Sequence, residues 1–273
     1  MYRKTPEGLE VHADLPLLDD LYYLVIPVVI NSKKYNFIID TCSGNTLFDI
    51  KFKPLLGDYL MTKSVPFGFD GNIQQVEIYK GPKEFIIGDV RVKGEFACMD
   101  MSLIKTPLEP DYDGIVGMHF LDGYILQFDI ENHKMRLLKK VETENKGDGD
   151  YLSNWGHAFP LIRDHRNWPF IHINLGGIKE ELFMIDTGLY AMIFNFLQLN
   201  SFNELRSVPG AIYGLDDSGK YEFICIPEAQ IGKIQFSNLR FASKPQSVLG
   251  MAFMKLFKMV TFDFENNILY LKP

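Results

Sequence analysis

The sequence predicts a mainly β protein folded as two similar lobes around a central cleft. Three observations carry that expectation. Short runs rich in β-branched and aromatic residues recur between turn residues, the same ordered set of motifs occurs twice, and helical periodicity is scarce. The chain has 273 residues, 47% apolar and 23% charged, a globular balance with length enough for two lobes.

The repeat fixes the organisation. "NFIIDTCSGNTLFD" (36–49) answers "LFMIDTGLYAMIFN" (182–195), so Asp40 corresponds to Asp186. At the same offset "LVIPVV" (24–29) falls on "FIHINL" (170–175), and Gly68 falls on Gly214. "LPLLDD" (15–20) pairs with "FPLIRD" (159–164), and "IIGDVRV" (86–92) with "QIGKIQF" (230–236). Near the end of each copy "GIVGM" (114–118) answers "SVLGM" (247–251), then "FDIENHKMRLL" (128–138) answers "FDFENNILYLK" (262–272). The order is kept and the offset drifts only by small insertions, the mark of a duplicated chain. The lobes are placed at 1–138 and 152–273. Between them, 139–151 is charged, contains Gly and lacks apolar periodicity, so it reads as a linker.

Taken in order, each copy opens on a hairpin. "YYLVIPVVI" and "YNFIID" flank "NSKK", and "FIHINL" and "ELFMID" flank "GGIKE". "FGFDGN" and "YGLDDSGK" are further turns with strands after them. Residues 251–259, "MAFMKLFKM", form the best candidate helix, with "MHFLDGY" as its counterpart, and their Met and Phe spacing reads as core packing. Asp129 and Asp263 recur in both copies, followed by Glu and Asn, the composition of a turn between two final strands.

Composition removes several function classes. A net charge of −7 without a basic stripe argues against nucleic-acid binding. No apolar window approaches the 18 or so residues of a spanning helix, and the first residues lack the apolar segment of a secretory leader. The compartment stays open between the cytoplasm and export with a leader removed. The cysteines Cys42, Cys98 and Cys225 are too scattered for a disulfide framework and lack zinc-ligand spacing. His165 and His172 read as ordinary histidines, and no metal or other cofactor is implied.

A lone Asp-Thr-x-Ser-Gly after a strand is an ordinary turn. Asp-Thr after the same strand in both copies of a duplicated chain is different, because equivalent residues near a pseudo-two-fold axis meet. Two close carboxylates share one proton, and such a pair can activate water against a peptide carbonyl.

Paired Asp-Thr loops, each followed by an aliphatic-aliphatic-Gly run, resemble the aspartic proteases, and the short lobes look like the retroviral-type subunit fused in tandem. The resemblance covers roughly 22–138 and 168–272. It implies two β-barrel lobes of retropepsin or pepsin type, and an endopeptidase with Asp40 and Asp186 as its catalytic pair. It implies that Thr41 and Thr187 hold the loops together and that Gly117 and Gly250 pack behind them. The turns near Phe69 and Tyr213 fall where the family has its flap. An extended peptide would be the substrate, bound as an added strand, and a single chain would suffice. Cys42 stands where the family has the glycine that Gly188 keeps, and a catalytically silent peptide-binding descendant is the alternative. Ser43, with Leu189 at the matching place, is expected to hydrogen-bond Asp40 and favour the proton on Asp186. Cys42 reads as a tolerated buried thiol, with a redox switch as the rarer possibility.

Overall fold

The computed structural model describes residues 3–6, 8–18, 22–67, 72–103, 112–140, 153–176, 180–195, 212–215 and 222–273. The chain is mainly β, carried by three sheets, and its α-helical segments among the described residues are single turns at Met118–Leu121 and Met251–Met254. No helix among the described residues is long and apolar enough to cross a membrane.

The first hairpin joins Val25–Ile30 to Lys33–Ile39, with Ile30 opposite Lys33. Asn31 and Ser32 both take positive φ, 47° and 67°, as a two-residue primed turn demands. The turn is therefore tighter than "NSKK", and Lys33 and Lys34 already belong to the strand. Its second strand ends in the buried run Phe37, Ile38 and Ile39. Gly114–Val116 lies parallel to that run, with Val116 opposite Ile39, and antiparallel to Leu47–Asp49. The later half repeats these pairings. Val248–Leu249 lies parallel to the end of Glu180–Ile185 and antiparallel to Met192–Phe194. Apolar segments flanked by partners on both sides suit parallel pairing, because both faces are buried.

In the later half six strands close a ring. From Pro169–Asn174 it runs through Glu180–Ile185, Val248–Leu249, Met192–Phe194, Ile234–Ser243 and Glu222–Ile231, and returns where Gln230 pairs with Asn174. In the earlier half the corresponding long strand is interrupted. Asn72–Tyr79 gives way to Gly81, at φ 99°, and Pro82 before Phe85–Ile87 resumes. Pro lacks the amide a continuous ladder needs, which accounts for the break.

The two halves meet in a seven-stranded sheet. Ile125–Asp129 pairs with Met259–Asp263, and Gln127 sits opposite Thr261 at the centre, its amide donating to Thr261 Oγ1 at 3.3 Å. Lys134–Lys139 and then Glu10–Pro16 extend it on one side, with Ile268–Lys272 and His157–Pro160 on the other. Leu126, Phe128, Leu137, Phe262, Leu269 and Leu271 are fully buried in one continuous core with Ile39 and Ile185, the residues just before the two aspartates. Each such side chain contributes about 1.5–3 kcal/mol on burial. Behind the first Asp-Thr loop, Phe37, Phe48, Phe85 and Phe96 pack largely edge-on, with Phe48 5.2–5.5 Å from the other three.

Two boundaries change from the sequence reading. Lys139, assigned to the linker, is the last residue of its strand because it pairs with Glu10. Residues 141–152 lie outside the described residues. The helix expected over 251–259 stops at Met254. Phe257 turns into the core, Leu256 is exposed, and Met259 already pairs with Lys272. Asp129 and Asp263 do sit in turns, accepting the backbone amides of Asn132 and Asn266 at 3.1 Å.

Candidate active site

Each Asp-Thr loop is aimed by the strand behind it. The Asp40 amide donates to Val116 O at 3.1 Å and the Asp186 amide to Leu249 O at 3.0 Å, so each aspartate leaves the sheet from a fixed point. The carboxylate of Asp40 then accepts the Cys42 amide at 2.7 Å, and that of Asp186 accepts the Gly188 amide at 2.8 Å. Both are turns in which the side chain bonds the backbone two residues on.

The threonines tie one loop to the other. Thr41 N–H donates to Thr187 Oγ1 at 3.1 Å, and Thr187 N–H donates to Thr41 Oγ1 at 3.2 Å. Their hydroxyls also cross over, Thr41 donating to Ile185 O at 2.8 Å and Thr187 to Ile39 O at 2.7 Å. Both threonines are fully buried, so these four bonds form without competing water.

Glycines close the back. A Cβ on Gly117 would lie 2.3 Å from Asn45 O, and one on Gly250 would lie 2.4 Å from Ala191 O and 2.5 Å from Leu189 O. The amides just after each glycine hold the loop, Met118 N–H bonding Ser43 O and Met251 N–H bonding Leu189 O, both at 2.7 Å.

The crossed loops bring the Asp40 carboxyl against Gly188, where a Cβ would stand 2.5 Å from it, and the two carboxyls, Asp40 and Asp186, act on each other electrostatically. Burial pushes Asp186 well above the ordinary carboxylate range, and the facing Asp40 charge adds to it against the opposing Gly188 amide. Burial raises Asp40 as well. The amides of Cys42 and Ser43 and the bond from Asp186 oppose that rise. Both carboxyls are thus pushed up, Asp186 further than Asp40.

Ser43 plays a different part from the one its hydroxyl suggested. Oγ donates to Asn45 O at 2.8 Å and is spent inside its own turn, while its backbone amide faces Asp40. What Ser43 contributes at Asp40 is thus its backbone amide, which opposes the rise caused by burial. Cys42 packs against Met184, Ile193 and Val248 beside Trp168 and Phe170, its thiol donating to Ile185 O at 3.3 Å. Burial, then the charges of Asp186 and Asp40, push that thiol well above its ordinary range. A neutral thiol is a poor nucleophile toward oxidants, which counts against a redox switch.

Phe69 lies outside the described residues. Among the described residues, Tyr59–Phe67 pairs antiparallel with Asn72–Tyr79. Tyr213 lies in the strand Ile212–Leu215, opposite Ile224, and residues 216–221, where the turn near it is expected, lie outside the described residues. His165 is exposed beside Asp164, and His172 faces outward from its strand. Among the described residues no group of three His, Cys, Asp or Glu side chains is placed to hold a metal.

Two residues were missed by the sequence reading. Thr46 Oγ1 accepts the Gly117 amide at 3.2 Å, and the Thr46 amide donates to His119 Nδ1 at 3.0 Å. Burial pushes His119 below its ordinary pKa, which keeps Nδ1 free to accept. In the other half Ala191 O takes the Gly250 amide instead, at 3.1 Å, so comparing the copies hides this clamp.

No protein-family model matches the chain, and no curated protein matches it in sequence.

Proposed function

We propose that the chain is an aspartic endopeptidase of two pseudo-symmetric, retropepsin-like lobes, active as a single chain. One observation carries the reading: two Asp-Thr loops, one from each half, are locked together by reciprocally bonded threonines, with the Asp40 carboxyl against Gly188 of the Asp186 loop. A structural turn has no need of a second, protonated carboxyl against it, and bringing the two together costs stability at neutral pH.

In this reading Asp40 is the anion and takes a proton from a water held between the two groups. The water oxygen attacks the carbonyl carbon of the scissile bond, while the Asp186 proton passes to the carbonyl oxygen. The resulting gem-diol collapses when the proton on Asp40 is given to the amide nitrogen. The C–N bond breaks, and the diol proton returns to Asp186. The buried threonines hold the geometry without entering the chemistry. An extended peptide would lie across the pair as an added strand.

A second reading, a silent peptide-binding module, draws on Cys42. A Cβ on Gly188 would stand 2.5 Å from the Asp40 carboxyl, and Cys42 carries a real side chain at the equivalent place. One experiment separates the two. An unfolded protein is incubated with the wild type, Asp40→Asn and Asp186→Asn across acid to neutral pH, and fragments are read by mass spectrometry. Cleavage by the wild type, lost at least about 100-fold in both variants, supports the peptidase. Binding without cleavage, unchanged by Asp40→Asn, supports the silent module.

A further inference from the structure

The outer face of the seven-stranded sheet carries a groove of about 490 Å³, on the far side of the core from the carboxyl pair. Its floor is Val11, Gln127, Leu138, Trp155 and Met259. Five basic side chains line it, Arg3, Lys4, Arg136, Lys258 and Lys272, against the two acids Asp129 and Glu131. This is a local positive balance in a chain of net charge −7.

Much of that charge is uncommitted. Arg3 is held by Asp14, and Arg136 donates to Gln127 Oε1 at 2.9 Å with Asp129 3.9 Å away. Asp129 is itself engaged by the backbone and side-chain amides of Asn132. Lys4, Lys258 and Lys272 are exposed and make no ion pair among the described residues. Lys258 and Lys272 are fixed side by side, because Lys258 N–H donates to Lys272 O at 2.8 Å.

The geometry points to a docking groove for an extended acidic peptide segment of a partner protein. From Arg3–Lys4 to Ile268–Lys272 the groove crosses six adjacent strands, about 24 Å at ordinary strand spacing. An extended chain covers that distance in about seven residues. Acidic side chains would reach Lys4 at one end and Lys258 and Lys272 at the other, and alternate apolar ones would rest on Trp155, Leu138 and Met259. The apolar floor has no counterpart on a polyphosphate chain, and a concave site suits a peptide better than a flat charged membrane. This site is independent of the peptidase reading and would stand if that reading failed.

The test is anisotropy of a fluorescein-labelled octapeptide alternating Glu with Leu, added to the full chain at neutral pH. Saturable binding is expected, about tenfold weaker or worse for the peptide with Gln in place of Glu and for Lys4→Glu/Lys258→Glu/Lys272→Glu. Added salt should weaken it. Should the triple variant fail to fold, Lys258→Gln and Lys272→Gln singly are each expected to lose part of the affinity. Equal binding by the Gln peptide, or binding unchanged in all the lysine variants, overturns the proposal. Full competition by inorganic phosphate or anionic vesicles overturns it too, assigning the groove to small anions or lipid headgroups. Binding that appears only after Glu142, Glu144, Asp148 and Asp150 are replaced would assign the groove to the chain's own segment and equally overturn it.

Discussion

The loop Asp40-Thr41-Cys42-Ser43 and the loop Asp186-Thr187-Gly188-Leu189 share a backbone and differ in their side chains. In both, the aspartate amide bonds the parallel strand, the carboxylate accepts the amide two residues on, and the threonine reaches across. Backbone bonds, glycine contacts and threonines set the shape. The other positions are free to vary until a side chain would strike the facing carboxyl. That limit applies at Gly188, where a Cβ would stand 2.5 Å from Asp40. It is relaxed at Cys42, whose thiol has Ile185 O and an apolar wall to lie against.

The largest expected break comes from the carboxyls. Asp40→Asn and Asp186→Asn should each lower cleavage of an unfolded protein by about 100-fold to 10,000-fold. They should also change the pH dependence of stability. A carboxyl whose folded pKa is raised favours folding below its unfolded value, and that contribution is lost as pH climbs from there through the folded pKa. The melting temperature of Asp186→Asn relative to the wild type should therefore rise from about pH 3 to about pH 7. A constant difference across that range would remove the shared proton from the account.

Next comes the asymmetry itself. Gly188→Ala should displace Asp40 and cost about 100-fold in turnover, the scale of an ångström misplacement. Cys42→Gly should leave turnover within about threefold, and a much larger gain would show that Cys42 silences the site. Smaller again is the threonine exchange. Thr41→Val and Thr187→Val should each cost about 2–4 kcal/mol in denaturant unfolding, because each strands an amide and a carbonyl in a dry setting. Similar costs would confirm that the two loops depend on each other equally. Ser43→Ala is the smallest, within about 0.5 kcal/mol and with the acidic limb of the pH–rate profile unmoved, since its hydroxyl bonds Asn45 O. A moved limb would restore the hydroxyl as the source of the proton preference.

The sequence carried the parts of this arrangement that repeat. The Asp-Thr loops, the glycines behind them and the turns at Asp129 and Asp263 were legible because each occurs twice in one order. Features made by one half alone were not. Thr46 and His119 hold the first loop through an imidazole that has no partner in the second copy. The destination of a hydroxyl is equally hidden, because Ser43 could serve either the carboxylate or its own turn. The groove on the outer sheet face escaped for a third reason: Lys4, Arg136, Lys258 and Lys272 come from distant segments, and only the pairing of Ile125–Asp129 with Met259–Asp263 assembles them.

The most direct test follows the carboxyl carbons of carbon-13-labelled aspartate by NMR as pH is raised. The account predicts one carboxyl that keeps its proton well above the ordinary carboxylate range, assigned to Asp186 by its loss in Asp186→Asn, and a fall of its pKa when Asp40 is made Asn. If every aspartate instead ionises in the ordinary range near pH 4, and Asp40→Asn moves none of them, the two carboxyls do not share a proton.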